Sequence, residues 1–356
     1  MDPSATPTLY ARFTRNGARW TFALLAALCL LGLPTAGVQS PTRAKATGPG
    51  DMDLYRAVIA DMRRGETYAQ AAVHEQRARR YPVRPFYVVR PPALGTALAV
   101  APSAFFPILA VRLLALAVVI AWVLRLRQVL PGPRLMAWTA LLLLTAVVFA
   151  LAGEPPTLLH EVWAGLLIAL SLALRTDRRF AASVLAALLA ALIRELAMPY
   201  LLVMAAFAVS ERRWREAGAF VAAVLIVAGT LAIHAHAVEA LTTSRDPASQ
   251  GWLAFGGWRF ALQATDWNGL GVALGPWSPA LLLPAALIGA YAWEDRRLIT
   301  VLAGYLAGLM VFGRPDNFYW GLIIAPLLGV GLALAPVAFR DLWVTARLPI
   351  WRRRAA

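Results

Sequence analysis

The stretch AFFPILAVRLLALAVVIAWVL, residues 104–124, carries Arg112 as its single charge. About 20 consecutive apolar residues cross the hydrocarbon core of a bilayer, so this stretch predicts a membrane-spanning helix. Similar apolar runs lie near residues 20–38, 135–152, 157–174, 180–193, 198–210, 217–237, 277–293, 298–313 and 318–338. The chain is 60% hydrophobic with a mean hydropathy of +0.62, which is too apolar for one water-soluble core. We therefore expect an all-α polytopic membrane protein with about ten transmembrane helices, built as one domain over residues 1–356.

Two of these runs, 180–193 and 198–210, are short and flank the polar sequence RELAMP. Either two short or tilted helices meet there at a polar apex, or one helical hairpin is broken. Arg194 and Glu195 lie at this break, and ionisable residues at membrane depth are functional candidates. They are interpreted either as an ion pair that holds the hairpin or, for Arg194, as a contact to the phosphate of a substrate.

The distribution of arginine predicts the topology. Arginine-rich loops mark the cytoplasmic side of a membrane, and such clusters occupy residues 125–134, 175–179, 211–215, 294–297 and 347–354. Ten spans and a cytoplasmic N-terminus place all of them inside, with a cytoplasmic C-terminus. The first apolar run is longer than the ~7–15 residues of a signal-peptide core, so we expect a retained anchor. The outer side then receives a first outer loop, 39–103, and an amphipathic outer loop, 238–276.

The net charge and the cysteine content limit the possible partners and the kinds of site in this protein. The net charge of +15 rests on arginine, with Lys45 as the only lysine. Such a balance suits nucleic acid, anionic lipid or a phosphate-bearing substrate, but in a polytopic protein much of it is topology, so we expect membrane lipids as partners and no nucleic acid. Cys29 is the only cysteine, which excludes an intrachain disulfide and a thiolate metal site.

The first outer loop contains GPGDMDLYRAVIADMRRGETY, residues 48–68. Its apolar residues follow a helical stripe, which predicts an interfacial helix lying on the membrane surface. Asp51 opens this helix, as an N-cap or as a functional carboxylate, and shares a face with Tyr55 one turn later. Asp53 lies on another face, as a competing base, a solvated charge or a partner of Arg56 at the i, i+3 spacing.

This loop resembles the first outer loop of the GT-C superfamily, the polytopic glycosyltransferases that use lipid-phosphate-linked sugars. Asp51 and Tyr55 match the spacing of Asp, three residues and Tyr in that loop, and Gly65 with Glu66 matches its Gly-polar turn. YPVRPFYVVRPP, residues 81–92, is similar to the segment of aminoarabinose transferases in which a basic residue, usually lysine, precedes paired prolines. Arg90 occupies that place here. The motifs LLHEVWAG and NFYWG are similar to segments of enzymes that depend on polyprenol-phosphate-mannose.

The resemblance implies an enzyme that moves a sugar from a polyprenyl-phosphate donor to a lipid, glycan or protein acceptor, at the periplasmic face of a bacterial inner membrane. The phosphate is already a good leaving group, so the site needs a base and cationic stabilisation. Asp51 is favoured over Asp53 as the base, and Arg84 and Arg90 are expected to hold the donor phosphate. No cofactor is required and no metal ligand is assigned, although a divalent cation stays possible at the acidic pair.

Further polar residues at the outer ends of spans are candidates for substrate binding. Glu154, His160 and Glu161 are expected to line the acceptor side of the cleft. Asp316 and Asn317 precede the last span, either as helix caps or as substrate contacts. The amphipathic outer loop is rich in tryptophan, which predicts either interfacial anchoring or stacking on a sugar, and the residues concerned are Trp252, Trp258, Trp267 and Trp277.

Two other classes of function remain alternatives. A transporter or flippase of a lipid-linked saccharide would also need many spans and intramembrane charges. Transporters, however, often have related halves with a broken helical segment in each. This sequence shows one broken pair of short runs and no second pair, which weighs against transport. A non-catalytic membrane partner in envelope assembly is the other. His234 and His236 stand two residues apart, so on a helix they point to different faces and are not expected to bind zinc, and His74 is expected to be solvated.

Overall fold

A computed structural model describes residues 8–35, 50–127, 129–130, 132–266, 274–275 and 277–347. These residues are helical and contain no β-strand, so the expected all-α class is confirmed. The main helices are α1 (Arg15–Gly32), α2 (Asp51–Arg63), α3 (Tyr68–Ala78), α4 (Pro92–Val100), α5 (Phe105–Leu126), α6 (Pro133–Val147), α7 (His160–Leu174), α8 (Ala181–Ile193), α9 (Met198–Ser210), α10 (Trp214–Glu239), α11 (Gly257–Thr265), α12 (Pro279–Ala292), α13 (Arg297–Val311) and α14 (Ala325–Ala346).

The apolar character predicted from the sequence is present in the helices. Three of them, α5, α10 and α14, are long and apolar enough to span a membrane. Six further apolar helices in the described part of the chain are shorter, with 10–17 residues. The structure thus supports a membrane protein, but three of the described helices, and not the expected ten, are long and apolar enough to span the bilayer.

The last span is displaced from its predicted position at 318–338. Residues Pro315–Ile323 form a 3₁₀ helix, and α14 starts at Ala325, with Pro326 in its first turn. Proline is favoured at the first turn of a helix because its missing N–H would have no intrahelical acceptor there. Hydropathy did not register this boundary because the apolar run continues across it.

The RELAMP sequence breaks the helix as expected. α8 ends at Ile193, Arg194 is extended with φ −143° and ψ 113°, and a short 3₁₀ turn leads into α9. Pro199 lies in the first turn of α9. Proline is tolerated in the first turn of a helix but would break the hydrogen-bond ladder of a helix interior, so Pro199 is compatible with a new helix that starts here and not with one helix running through RELAMP.

The centre of the bundle is α14, which packs against α12, α6 and α1. Glycines bring α12 and α14 together closely. A Cβ atom on Gly289 would meet the carbonyl oxygen of Gly331 and the backbone nitrogen of Ala335. Small residues at such contacts let helix backbones approach in membranes, where van der Waals packing drives association.

Segment 50–103 folds as a compact unit against this bundle. α2 and α3 form a hairpin whose turn contains Gly65 at φ +106°, a conformation that glycine adopts without strain. Thr67 begins α3 with a capping box. The apolar stripe of α2 was predicted to lie on the membrane surface, but it packs against α3, α4 and the end of α10, with Leu54 and Val58 buried. Residues 39–49 of the predicted outer loop lie outside the described residues.

Candidate functional site

A cavity of about 340 Å³ lies where segment 50–103 meets the start of α7, the residues before α11 and the 3₁₀ helix before α14. It is apolar over much of its wall, with a few polar groups from different parts of the chain. The polar side chains that matter for its chemistry are Asp51, Tyr55, Tyr81, Arg90, His160 and Tyr319. A concave, mainly apolar site with few polar groups is typical of binding sites for small ligands.

Asp51 is the carboxylate that α2 presents to the cavity. It is the first helical residue, and Gly50 occupies the N-cap position, so the N-cap interpretation of Asp51 is wrong. The hydroxyl of Tyr81 donates a hydrogen bond of 2.9 Å to Oδ1 of Asp51.

Tyr81 stays a donor because its phenol resists ionisation. Burial raises the pKa of Tyr81, and the negative charge of Asp51 raises it further. A neutral phenol therefore donates to the Asp51 carboxyl group and fixes its orientation. Oδ2, the second oxygen of Asp51, accepts no hydrogen bond from the described residues, so it can accept one from a ligand.

Two arginines border the cavity: Arg314, which pairs with Asp316, and Arg90. The Nε of Arg90 donates to the hydroxyl of Tyr55 at 3.4 Å and its NH2 donates to the hydroxyl of Tyr319 at 2.8 Å. Its own carbonyl accepts from Tyr68 at 2.9 Å, and Pro91 and Pro92 start α4 directly after it. Within the described residues no carboxylate lies within 4.0 Å of its guanidinium nitrogens. Since arginine is always charged in proteins, this positive charge is held by neutral phenols and is not cancelled by an ion pair.

Asp53 and Glu154 do not border the cavity. Both bind Arg56: Asp53 Oδ1 lies 2.9 Å from NH1, and the two oxygens of Glu154 lie 3.0 and 2.7 Å from Nε and NH2. The partner expected for Asp53 from the i, i+3 spacing is confirmed. Glu154, predicted on the acceptor side of a cleft, instead connects Pro155–Leu158 to α2.

Arg84 is also outside the cavity wall. Its guanidinium donates to the carbonyls of Ser244 and Asp246, at 2.9 and 3.1 Å from NH2. Arg77 forms a two-pronged pair with the Asp246 carboxylate, at 2.6 and 2.7 Å. Two backbone hydrogen bonds cross the same junction, from Val83 N–H to the carbonyl of Pro247 and from Ser249 N–H to the carbonyl of Arg84. Arg84 therefore fastens the loop after α10 to segment 50–103, and its donors are engaged away from the expected phosphate.

His160 and Glu161 open α7 but face different surroundings. His160 borders the cavity and packs edge-on against Tyr55, with ring centroids 5.3 Å apart. Neither ring nitrogen has a hydrogen-bond partner of acceptable geometry among the described residues. Glu161 is buried and pairs with Nε of Arg194 at 2.7 Å. Only His160 of these two is available to a ligand in the cavity.

The ion-pair interpretation of the RELAMP break is confirmed. Arg194 is fully buried and pairs with Glu161 of α7 and with Glu195 beside it. One guanidinium shared by two carboxylates leaves no cationic group free there. The structure therefore gives Arg194 and Glu195 a structural position between α7, α8 and α9, without a place in the cavity wall.

Asp316 and Asn317 border the cavity, but neither caps a helix. The N-cap of the 3₁₀ stretch is Arg314 and that of α14 is Ile324, so the capping interpretation is wrong. Asp316 instead binds Arg314 through both oxygens, at 3.1 and 2.9 Å. Both residues remain candidates for contacts to a substrate.

Aromatic residues supply much of the remaining wall. Trp252 borders the cavity and contacts Tyr87 and Trp320, with ring centroids 4.6 and 6.0 Å apart. Trp258 donates to the carbonyl of Leu28 and so anchors the loop to α1, while Trp267 lies outside the described residues. The sequence-based site omitted Tyr81, Tyr319 and Trp320, although all three lie inside motifs quoted for the resemblance.

Two histidine-containing groups lie away from the site. His234 is buried and its Nε2 lies 3.0 Å from the carbonyl of Val89, apart from the exposed His236. Asp61, His74 and Glu75 have potential metal-ligating atoms within 4.8 Å of one another. Both carboxylates in this group already pair with arginines, Asp61 with Arg64 and Glu75 with Arg79. Asp61 is buried, whereas His74 is exposed to solvent as expected, with its Nδ1 3.5 Å from Oδ2 of Asp61.

Comparisons with protein-family profiles, with curated proteins and with solved structures find no match to this chain.

Proposed function

We propose that this protein is a membrane glycosyltransferase of GT-C type that takes a sugar from a polyprenyl-phosphate donor and places it on a lipid, glycan or protein acceptor. The observation that carries the proposal is the joint presence of Asp51 and Arg90 in one cavity. Among the described residues, one oxygen of the Asp51 carboxylate has no hydrogen-bond partner and the Arg90 guanidinium has no ion-pair partner. A carboxylate and a guanidinium that can meet a substrate are the two groups that such a transfer requires.

The reaction proposed here is a displacement at the anomeric carbon. Asp51 takes the proton of the acceptor hydroxyl as its oxygen forms the new bond to that carbon. The bond between the anomeric carbon and the phosphate oxygen breaks, and its electron pair leaves with the phosphate. Arg90 stabilises the charge that develops on this leaving group. The step needs no strong general acid because a phosphate ester is already a good leaving group.

The neighbouring phenols would position both groups. Tyr55 and Tyr319 contact the Arg90 guanidinium, and Tyr81 contacts Asp51. These neutral groups orient the charges without forming ion pairs with them, so an incoming phosphate would meet a cation that has no direct ion pair within the described residues. In a partly buried site, this attraction is stronger than at a water-exposed surface.

The proposal extends to the membrane arrangement. Three helices in the described part of the chain are long and apolar enough to span a membrane, and we propose that the shorter apolar helices also cross it, giving about ten crossings with both termini cytoplasmic. The arginines near the end of α7, between α9 and α10, and before α13 support this orientation through the positive-inside rule. The cavity would then open on the periplasmic side of a bacterial inner membrane.

The central test compares Asp51 with Asp53, two acidic residues that stand two positions apart. Purified protein in nanodiscs is supplied with polyprenyl phosphates carrying radiolabelled mannose, glucose or aminoarabinose, together with an extract of membrane lipids as acceptor. We expect Asp51→Asn to lower transfer at least about 100-fold, the usual scale for loss of a general base. Asp53→Asn should stay within about twofold of wild type, because its carboxylate contacts Arg56 outside the cavity.

A second comparison isolates the phosphate contact. Binding of undecaprenyl phosphate, measured by native mass spectrometry, should weaken about 10- to 100-fold in Arg90→Gln, as expected for loss of a charge-assisted contact. Arg84→Gln is the matched control, since its guanidinium binds backbone carbonyls instead. Transfer that survives Asp51→Asn unchanged would contradict the mechanism. Saccharide that crosses sealed vesicles without any transfer would support the transporter alternative instead.

A further inference from the structure

The segment between Gly251 and Gly256 alternates regularly between inward and outward residues. Leu253 and Phe255 are 86% and 80% exposed. Trp252, which precedes Leu253, and Ala254, which lies between the two, are partly buried. This period of two is that of an extended chain with one covered and one open face. Two large apolar side chains on the same open face are unusual for a surface that meets water.

The inward face of this segment forms part of the cavity. Trp252 borders the cavity and contacts Tyr87 and Trp320. Ala254 forms a backbone bridge with Phe312, directly after the end of α13. The same short segment therefore faces the candidate site on one side and its surroundings on the other.

The outward face lies close to the end of α13. Val311 and Phe312, at the end of this helix, are themselves exposed, and the backbone bridge joins Phe312 to Ala254, the residue between Leu253 and Phe255. α13 is one of the apolar helices of the bundle. Exposed apolar side chains at the end of such a helix and on the adjoining loop are suited to hydrocarbon rather than to water.

We propose that Leu253 and Phe255 insert into the acyl chains of the adjacent bilayer leaflet, and that residues 251–256 form the wall between this leaflet and the cavity. Irregular backbone exposed to lipid is not tolerated deep in a bilayer. The insertion is therefore shallow, at the boundary of headgroups and acyl chains, about 5–10 Å into the leaflet. A lipid-borne phosphate at that depth would reach Arg90 sideways from the leaflet, so this part of the inference rests on the proposed function.

The insertion is tested with single cysteines. Because Cys29 is the only native cysteine, Cys29→Ala gives a background in which Leu253→Cys and Phe255→Cys are each labelled with the fluorophore NBD in phosphatidylglycerol and phosphatidylethanolamine nanodiscs. We expect a blue-shifted emission and stronger quenching by lipids with a doxyl group at carbon 5 than at carbon 12. Arg245→Cys, an exposed polar position on the same loop, is the control and should be quenched by aqueous iodide instead. Labels at 253 and 255 that respond to iodide as the control does would overturn the insertion.

A second measurement separates this inference from the proposed function. Leu253→Asp with Phe255→Asp should lower binding of bilayer-embedded undecaprenyl phosphate at least tenfold, while binding of farnesyl phosphate in detergent stays unchanged. Equal loss for both lipids, or loss for neither, would overturn the sideways route. If the labels lie in the leaflet and the wild-type protein binds no lipid phosphate, the insertion is supported and the proposed function is contradicted.

Discussion

Arg90 and Arg175 lie in regions at opposite ends of α7, and their surroundings differ in kind. α7 begins at His160, beside the cavity that contains Arg90, and ends at Leu174, directly before Arg175. The helix separates the two regions by about 20 Å at 1.5 Å per residue. Arg90 contacts two phenols, whereas Arg175 is buried among carboxylates, with Nε 3.0 Å from Glu216 and NH2 2.9 Å from Glu211.

The region of Arg175 is a balanced network. Four arginines from four different loops or helix ends share four carboxylates, and the members are Arg125, Arg175, Arg213, Arg297, Asp177, Glu211, Glu216 and Asp295. Charges removed from water are tolerated when each has a well-oriented partner. This network therefore joins the helix ends and pairs each of its four arginines with a carboxylate, whereas Arg90 contacts phenols and has no carboxylate within 4.0 Å among the described residues.

The largest expected effect comes from breaking the balanced network. Arg175→Met should lower the free energy of unfolding by about 3–5 kcal/mol, because it leaves the buried Glu216 carboxylate short of a partner. Unfolding of the protein in mixed micelles with increasing SDS measures the change. Arg215→Met, which alters an exposed arginine beside Glu216, should change the free energy by less than about 0.5 kcal/mol. Equal effects of the two substitutions would show that the network contributes little.

A smaller effect is expected at Arg90. Arg90→Met removes two hydrogen bonds to phenols that border a cavity, and water can replace the lost donor there, so we expect a loss of about 1 kcal/mol in unfolding free energy. The same SDS titration measures it against wild type. Phosphate binding should nevertheless be lost, as described for Arg90→Gln. A stability loss as large as that of Arg175→Met would mean that Arg90 is a structural residue and would remove the contrast.

The smallest effect concerns pH. Burial and the Asp51 charge raise the pKa of Tyr81 above its ordinary value of about 10, so the folded state holds this proton more tightly than the unfolded state. The associated stability is complete below pH about 10 and is lost as pH rises towards the folded pKa. The unfolding free energy of wild type should therefore fall faster between pH 10 and 11 than that of Tyr81→Phe. Parallel profiles would contradict the direct contact between Tyr81 and Asp51.

Much of the helical architecture follows from the sequence. Each apolar run near 104–124, 198–210 and 217–237 contains or closely matches a helix, and the break at RELAMP occurs where polar residues and a proline coincide. The predicted helix boundary was wrong where the hydropathy of the sequence does not change at the true boundary. α14 starts later than its apolar run because Pro326 and the 3₁₀ helix before it set the start, and neither changes the mean hydropathy.

The candidate site was predictable only in part. Asp51 and Tyr55 share a helix face by their spacing, whereas Arg90 was expected near them from the resemblance to the first outer loop of the GT-C superfamily. Arg84 is two residues before Phe86 in the same basic loop, yet it faces the backbone of residues 244–246. Composition does not distinguish an arginine that binds carbonyls from one that faces a cavity, because both are basic residues in a polar segment.

The sequence by itself determined the helical class, the membrane character and the acidic opening of α2, because these follow from hydrophobicity and from interactions between residues close in the chain. Only the tertiary structure decided which charges are cancelled and which are not. Arg194 is neutralised by Glu161 from another helix, and Arg90 receives Tyr319 from a distant part of the chain. Electrostatic interactions depend on distance in space and on burial, and neither quantity is contained in the order of the residues.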